Sequence, residues 1–162
     1  MFDEFDEDHG FKSAHPVCPN VVLNALRPMI LAAQPVGSRI TCNPPPADTD
    51  EDWLVLVNGD PKEALLSSGF MQDGRPGFYT GSDVGTFRSW RMGDLNVITT
   101  PDPKFYELFL TATMLAKRFN LLDKGDRIAL FQAVLYQVRY DSLEWTHGNH
   151  VDSVFDQPQD II

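Results

Sequence analysis

The feature that most constrains the fold is a run of five apolar residues, 53–57, in the middle of the chain. The run reads Trp-Leu-Val-Leu-Val and is followed by Asn58-Gly59-Asp60, a turn signal. A continuous apolar run, without alternating polar residues, is typical of a strand that is buried on both faces of its sheet. Such a strand needs an apolar layer on each side, and 162 residues with 43% hydrophobic content can supply both layers.

The segments around this strand predict a mixed α/β domain, in which a small mixed β-sheet is flanked by helices and followed by a C-terminal helical pair. Apolar residues at helical spacing and capping signals identify the helices. The predicted elements are a helix from Asn20 to about Ala33 that Pro28 bends or splits, a short helix over 61–68 capped by Asp60, strands over 86–91 and 95–99, and two helices from Asp102 onward that turn at Asp123. We expect 70–87 to form a hairpin or loop.

The acidity of the chain is concentrated at its two ends. The formal net charge is −10, and residues 1–9 and 141–162 each contain five acids and no lysine or arginine. This leaves 13 of the 23 acidic residues for segment 10–140, equal in number to the 13 lysines and arginines. We therefore predict an acidic arm over 1–18, a domain over 19–140 and an acidic tail from residue 141, both ends favouring solubility. A broad basic face for long nucleic acid is not supported.

The sequence also predicts the compartment. No apolar run approaches the roughly 20 residues that a membrane-spanning helix needs. The first four residues include the acids Asp3 and Glu4, whereas a signal peptide begins with a positively charged segment. Two cysteines, Cys18 and Cys42, make neither a disulfide framework nor a CxxC zinc pair. We expect a cytoplasmic protein with no membrane partner.

Two short motifs upstream of the apolar strand carry the chemical signal. On a strand, alternate side chains share a face, so Asp50 and Asp52 point the same way at its entrance. Convergent carboxylates bind hard cations such as Mg²⁺, which complete their shells with phosphates and water. Two such ions can hold both the attacking and the leaving oxygen of a phosphoryl displacement. Upstream, Gly37 allows close approach of the backbone to a phosphate, Ser38 offers its N–H and hydroxyl, and Arg39 adds a charged donor.

The order of these motifs, Gly37-Ser38 and then Asp50-x-Asp52 at the mouth of a hydrophobic strand, resembles the nucleotidyltransferases of the DNA polymerase β superfamily. The resemblance covers segment 20–140 and is greatest to the small nucleotidyltransferase-like proteins that bacteriophages encode, which would place the protein in the host cytoplasm. It implies the fold of that superfamily and an NTP donor. It also implies that the serine of the turn binds the triphosphate and that the strand acids bind two Mg²⁺ or Mn²⁺ ions.

The resemblance also implies a third acid, which in this superfamily usually comes from an adjacent strand. Asp94 is the residue that matches, and its position after a glycine makes it equally a candidate turn residue. The chain has Glu51 between the paired acids, where the family has an apolar residue. Asp48 and Asp50 form a second pair with the same spacing. We prefer Asp50 and Asp52 because Asp52 adjoins the strand.

These observations support three hypotheses of different classes. The first is a metal-dependent nucleotidyltransferase that moves an NMP from an NTP to an unidentified acceptor, which is a protein hydroxyl, an RNA end or a small molecule. Its catalytic and metal-binding residues would be Asp50, Asp52 and Asp94, and its nucleotide-binding residues Gly37, Ser38 and Arg39. The second is an interaction protein that keeps the fold with little or no catalysis. The third is a zinc hydrolase that uses His147 and His150.

Overall fold

The computed structural model describes residues 17–47, 49–73 and 87–135. The order of elements is α1 (Asn20–Leu26), a 3₁₀ turn (Arg27–Met29), β1 (Ile30–Val36), α2 (Ser38–Thr41), β2 (Glu51–Val57), α3 (Lys62–Ser67), β3 (Met71–Gln72), β4 (Arg88–Met92), β5 (Leu95–Thr100), α4 (Pro103–Arg118) and α5 (Lys124–Leu135). Of the residues discussed above, Asp48, His147 and His150 lie outside the described part, as do both acidic ends almost entirely.

The strands form one five-stranded mixed sheet in the order β1-β2-β5-β4-β3. β2 pairs antiparallel with β1 and parallel with β5, and β5 pairs antiparallel with β4. The strand predicted from the apolar run is thus an interior strand, and Trp53, Leu54 and Val55 are each at most 2% exposed. The predicted class, a mixed sheet flanked by helices, is confirmed.

The two faces of the sheet carry separate apolar layers. One face, here called the α1 face, packs alternate residues of β2 against α1 and α3; its buried members include Val22, Leu26, Trp53, Val55 and Leu65. The opposite face, here called the α4 face, packs Leu54 and Ile98 against α4 and α5. The aromatic rings of Phe109 and Phe131 join these two helices edge to face, with centroids 4.9 Å apart. Because side chains alternate along β2, Asp52 belongs to the α4 face together with Leu54.

The helical pair begins where the sequence predicts. The carboxylate of Asp102 accepts a hydrogen bond from the Lys104 N–H at 2.9 Å, and Pro103 occupies the first turn of α4. The carboxylate of Asp123 accepts from the Asp126 N–H at 3.1 Å at the start of α5. No helix in the described part of the chain has both the length and the apolar character needed to cross a bilayer.

The predicted helix from Asn20 to about Ala33 is wrong in its second half. The helix ends at Leu26, Pro28 lies in the 3₁₀ turn, and residues 30–36 form β1. Proline has no N–H to donate and clashes with the preceding helical turn, so it ends the helix rather than bending it. The apolar residues beyond it gain more from pairing with β2, where Ala33 lies opposite Val55.

Candidate functional site

Polar side chains from three neighbouring strands meet on the α4 face. The register places Asp52 of β2 beside Asn96 of β5, and Asn96 beside Arg91 of β4. Paired residues on adjacent strands project from the same face, so these three residues form a row across the sheet. Asp50 precedes β2 by one residue and shares the orientation of Asp52. We call these four residues, Asp50, Asp52, Arg91 and Asn96, the polar row.

Hydrogen bonds hold both carboxylates of the polar row. The Asn96 Nδ2 donates to Asp52 Oδ1 at 2.8 Å, and the Arg91 Nη1 lies 3.0 Å from Asp50 Oδ2. The side chain of Glu51 points to the opposite face of the sheet, because side chains alternate along the strand. Its Oε2 accepts a 3.0 Å hydrogen bond from the indole N–H of Trp53, a member of the α1-face core. Glu51, which lies between Asp50 and Asp52 in the sequence, therefore does not join them in the candidate site.

The turn at Gly37 lies directly against the Asp52 carboxylate. Val36, the last residue of β1, pairs with Asp52, and the chain turns at the next residue. Gly37 has φ +82° and ψ −176°, a conformation restricted to glycine. A β-carbon there would overlap the Asp52 carboxyl group and would lie 2.8 Å from its Cγ. The predicted phosphate-binding turn and the predicted metal-binding acid thus touch.

Ser38 and Arg39 form the first residues of α2, which is a single helical turn. The Ser38 hydroxyl is hydrogen-bonded to the Thr49 hydroxyl. The Arg39 Nη2 donates to the Thr49 carbonyl at 3.0 Å, and its Nη1 is 4.0 Å from Glu51 Oε1. Both side chains therefore contact the segment that enters β2, and the Arg39 guanidinium keeps access to solvent because its side chain is 44% exposed.

Asp94 lies in the turn between β4 and β5 and is exposed. Its backbone carbonyl accepts a hydrogen bond from the Glu51 N–H at 2.9 Å. The β5 residue beside Asp52 is Asn96 instead. Within the described ranges, no three His, Cys, Asp or Glu side chains are grouped so that they could hold a metal ion. A metal-binding role for Asp94 stays a prediction.

The site makes the Asp52 carboxylate costly to ionise. Burial raises its pKa to about 6, and the nearby charge of Asp50 acts in the same direction. The hydrogen bond from Asn96 and the positive charges of Arg91 and Arg39 oppose the rise without cancelling it. A divalent cation bound beside Asp52 would remove this cost, because it would favour the charged form.

This pKa predicts how stability depends on pH when no divalent cation is present. A carboxyl group whose folded-state pKa is raised binds its proton more tightly in the folded state, so folding is favoured as the pH falls. Between pH 7 and pH 4 the free energy of unfolding of the parent protein should rise relative to that of Asp52→Asn, and most of the rise should fall between the folded-state pKa of about 6 and the model value of 3.8. Urea unfolding of both proteins at a series of pH values measures this difference. A difference that is constant with pH would contradict the raised pKa.

Sequence reasoning missed three residues of the site: Thr49, Arg91 and Asn96. Arg91 and Asn96 lie in segments that it did predict as strands, but their places beside Asp50 and Asp52 depend on the pairing of β2 with β5 and of β5 with β4. The sequence does show that Asn96 is a polar residue at the second position of a predicted strand, and this was the only indication that it could belong to a site. Thr49 was visible only as a neighbour of the acids.

The donor atoms of the site fit a hard divalent cation. Asp50 and Asp52 provide carboxylate oxygens, and Asn96 Oδ1 is a buried oxygen with no hydrogen-bond partner in the described part of the chain. Mg²⁺ and Mn²⁺ prefer such oxygen ligands, and Mg²⁺ is commonly held by one or two carboxylates plus substrate phosphates. The residues present therefore fit a cation that arrives with a phosphate-bearing ligand.

Comparison of the chain with protein-family models, with curated proteins and with solved structures finds no match. The resemblance to the DNA polymerase β superfamily stays a prediction that rests on Gly37-Ser38, on the paired acids and on the strand that follows them.

Proposed function

We propose that this site binds a nucleoside triphosphate together with Mg²⁺ or Mn²⁺ and transfers the nucleoside monophosphate to an acceptor hydroxyl. The observation that carries the proposal is the contact between the Gly37 turn and the Asp52 carboxylate. A turn that offers the Ser38 N–H and hydroxyl to a phosphate and an acid that attracts a divalent cation can serve one ligand when they adjoin. A metal-bound triphosphate offers both groups.

The residues divide between the cation and the phosphates. Asp50 and Asp52 would hold the cation, which when bound offsets phosphate charge and orients the triphosphate. The glycine at position 37 leaves room for the Asp52 carboxyl group, and the Ser38 hydroxyl can exchange its Thr49 partner for a phosphate oxygen. Arg39 has an exposed guanidinium that can reach the β- and γ-phosphates.

The transfer step needs charge stabilisation more than covalent participation by the protein. The acceptor oxygen forms a bond to the α-phosphorus while the bond from that phosphorus to the β-phosphate oxygen breaks. Pyrophosphate leaves with the electron pair, and the acceptor proton passes to water. Arg39 is placed to stabilise the charge that grows on pyrophosphate. The acceptor is a protein hydroxyl, an RNA end or a small molecule.

A second candidate, an interaction protein with little or no transfer activity, is favoured by one observation. The superfamily takes its third acid from an adjacent strand, and on β5 the residue beside Asp52 is the neutral Asn96. In this case the fold would serve as an interaction surface, and the site would lack a charge that transfer requires.

Label transfer tests the proposal. The protein is incubated with each α-labelled NTP, Mg²⁺ or Mn²⁺ and a cell lysate, and the labelled product is then located. We expect transfer by the parent and a reduction of about tenfold to a hundredfold in Ser38→Ala. A hydrogen bond to a charged phosphate is typically worth roughly 1.5–3 kcal/mol, and each factor of ten in rate corresponds to about 1.4 kcal/mol.

The matched control is Ser67→Ala on α3. The Ser67 hydroxyl donates to the Glu63 carbonyl at 2.7 Å on the exposed side of that short helix, so transfer should not change. No transfer by a parent protein that still binds the metal nucleotide would select the interaction protein. A parent that binds neither the cation nor any NTP would refute the proposed transfer activity.

A further inference from the structure

The amide of Asn96 is only half satisfied in the polar row. Its Nδ2 donates to Asp52 Oδ1 at 2.8 Å, whereas its Oδ1 is buried and accepts no hydrogen bond from any described residue. A buried amide oxygen without a partner is unfavourable and rare in folded proteins. Asn96 is held here by β-sheet pairing on both sides, to Asp52 and to Arg91, so its position in the row is set by the backbone.

Rotation of this amide exchanges its two ends. The nitrogen faces Asp52 when the carboxylate is alone, because two oxygens facing each other would repel. A divalent cation beside Asp52 reverses the preference, since the cation attracts the amide oxygen and repels the N–H groups. The same side chain can therefore hold the empty acid by its nitrogen and bind the cation by its oxygen.

We propose that Asn96 Oδ1 is the third protein ligand of the cation that Asp50 and Asp52 bind. This inference rests on the cation site of the proposed function and assigns the ligand to β5 itself rather than to the turn that contains Asp94. A neutral third ligand adds no charge to the two carboxylates, which Arg91 already neutralises in part at a distance of 3.0 Å from Asp50. The cation consequently binds well only in company with the negatively charged triphosphate.

A change of metal preference tests direct ligation. In Asn96→Cys the third ligand becomes a sulfur atom, and soft thiolate ligands favour Cd²⁺ over hard Mn²⁺. With a non-hydrolysable NTP analogue present, the ratio of Cd²⁺ affinity to Mn²⁺ affinity should rise about a hundredfold over the parent. The affinities are measured by titration calorimetry. Cys18 and Cys42 are present in every protein compared, so their contribution cancels.

The matched control is Ser67→Cys, which places a thiol at an exposed position of α3 and should leave the ratio at the parental value. An unchanged ratio in Asn96→Cys, or an equal rise in the control, would overturn the inference. If Asp52→Asn still lowers Mn²⁺ binding in that case, the proposed function stands alone. If Asp52→Asn changes neither Mn²⁺ nor nucleotide binding, the cation site is refuted and both proposals fall with it.

A second variant keeps the inference testable if the cysteine protein does not fold. Asn96→Asp has nearly the same shape and adds a charged oxygen ligand. It should bind Mn²⁺ without nucleotide at least about tenfold more tightly than the parent, because the third ligand now attracts the cation by charge. No gain in Mn²⁺ affinity would show that the side chain at position 96 does not reach the cation, and would overturn the inference.

Discussion

Replacing Gly37 with alanine should destabilise the fold by about 2–4 kcal/mol. The backbone at this position has φ +82° and ψ −176°, which strains any residue with a side chain. The added β-carbon would also meet the Asp52 carboxyl group, 2.8 Å from its Cγ, so either the turn or the acid must move. Urea unfolding measures the loss, and binding of the metal nucleotide should fall in parallel.

Gly59→Ala is the matched control for this prediction. A β-carbon at position 59 would find only the Met29 Sδ, at 3.9 Å, within contact distance. Gly59 is not one of the described glycines with a left-handed φ, so stability should change by no more than about 0.5 kcal/mol. Equal stability of the two variants would contradict the contact between the turn and Asp52.

Replacing Asp52 with asparagine should raise stability and abolish cation binding. At pH 7.5 without divalent cations, the parent keeps a charged carboxylate in a place where burial raises its pKa to about 6. Asparagine has the same shape, retains an oxygen that can accept from Asn96 Nδ2, and carries no charge. We expect the free energy of unfolding to increase by about 1–2 kcal/mol, after allowance for the partial exposure of the site.

The same variant should not respond to ligands. Mn²⁺ with an NTP analogue should raise the melting temperature of the parent, since a ligand that binds the folded state stabilises it. The melting temperature of Asp52→Asn should stay constant under the same conditions. Thermal unfolding with and without the ligands gives both results in one series. A variant that is less stable than the parent and still responds to Mn²⁺ would contradict the assignment of Asp52.

Asp60→Asn separates this effect from a general loss of negative charge. Asp60 is exposed, accepts from the Lys62 N–H at 3.0 Å and lies 2.9 Å from the Arg88 guanidinium. These contacts lower the pKa of its carboxyl group, so its charged form stabilises the fold, the opposite of Asp52. The control variant should be less stable than the parent and should keep the full response to Mn²⁺ and the NTP analogue.

Local sequence determined several elements of this fold and part of its site. The apolar run at 53–57 predicts an interior strand because no polar face is available for solvent. Asp102 and Asp123 mark the starts of two helices because each carboxylate satisfies a backbone N–H within three residues. That Asp50 and Asp52 lie on the same side of β2 follows from the alternation of side chains along a strand. Each of these patterns depends on interactions within a few residues of the chain, so it can be recognised without the tertiary structure.

Only the tertiary structure decided which residues stand beside the two acids. Residues 30–33 continue a helical pattern in the sequence, yet they lie in strand β1 because pairing with β2 outweighs helical preference beyond Pro28. Asn96 is 44 positions from Asp52 and reaches it through the parallel register of β2 and β5, while Arg91 follows from the register of β4. Register depends on pairing between distant segments, and a shift by one residue would turn every side chain to the other face. The acid pair Asp50 and Asp52 could therefore be identified in the sequence, whereas Arg91 and Asn96 beside it could not.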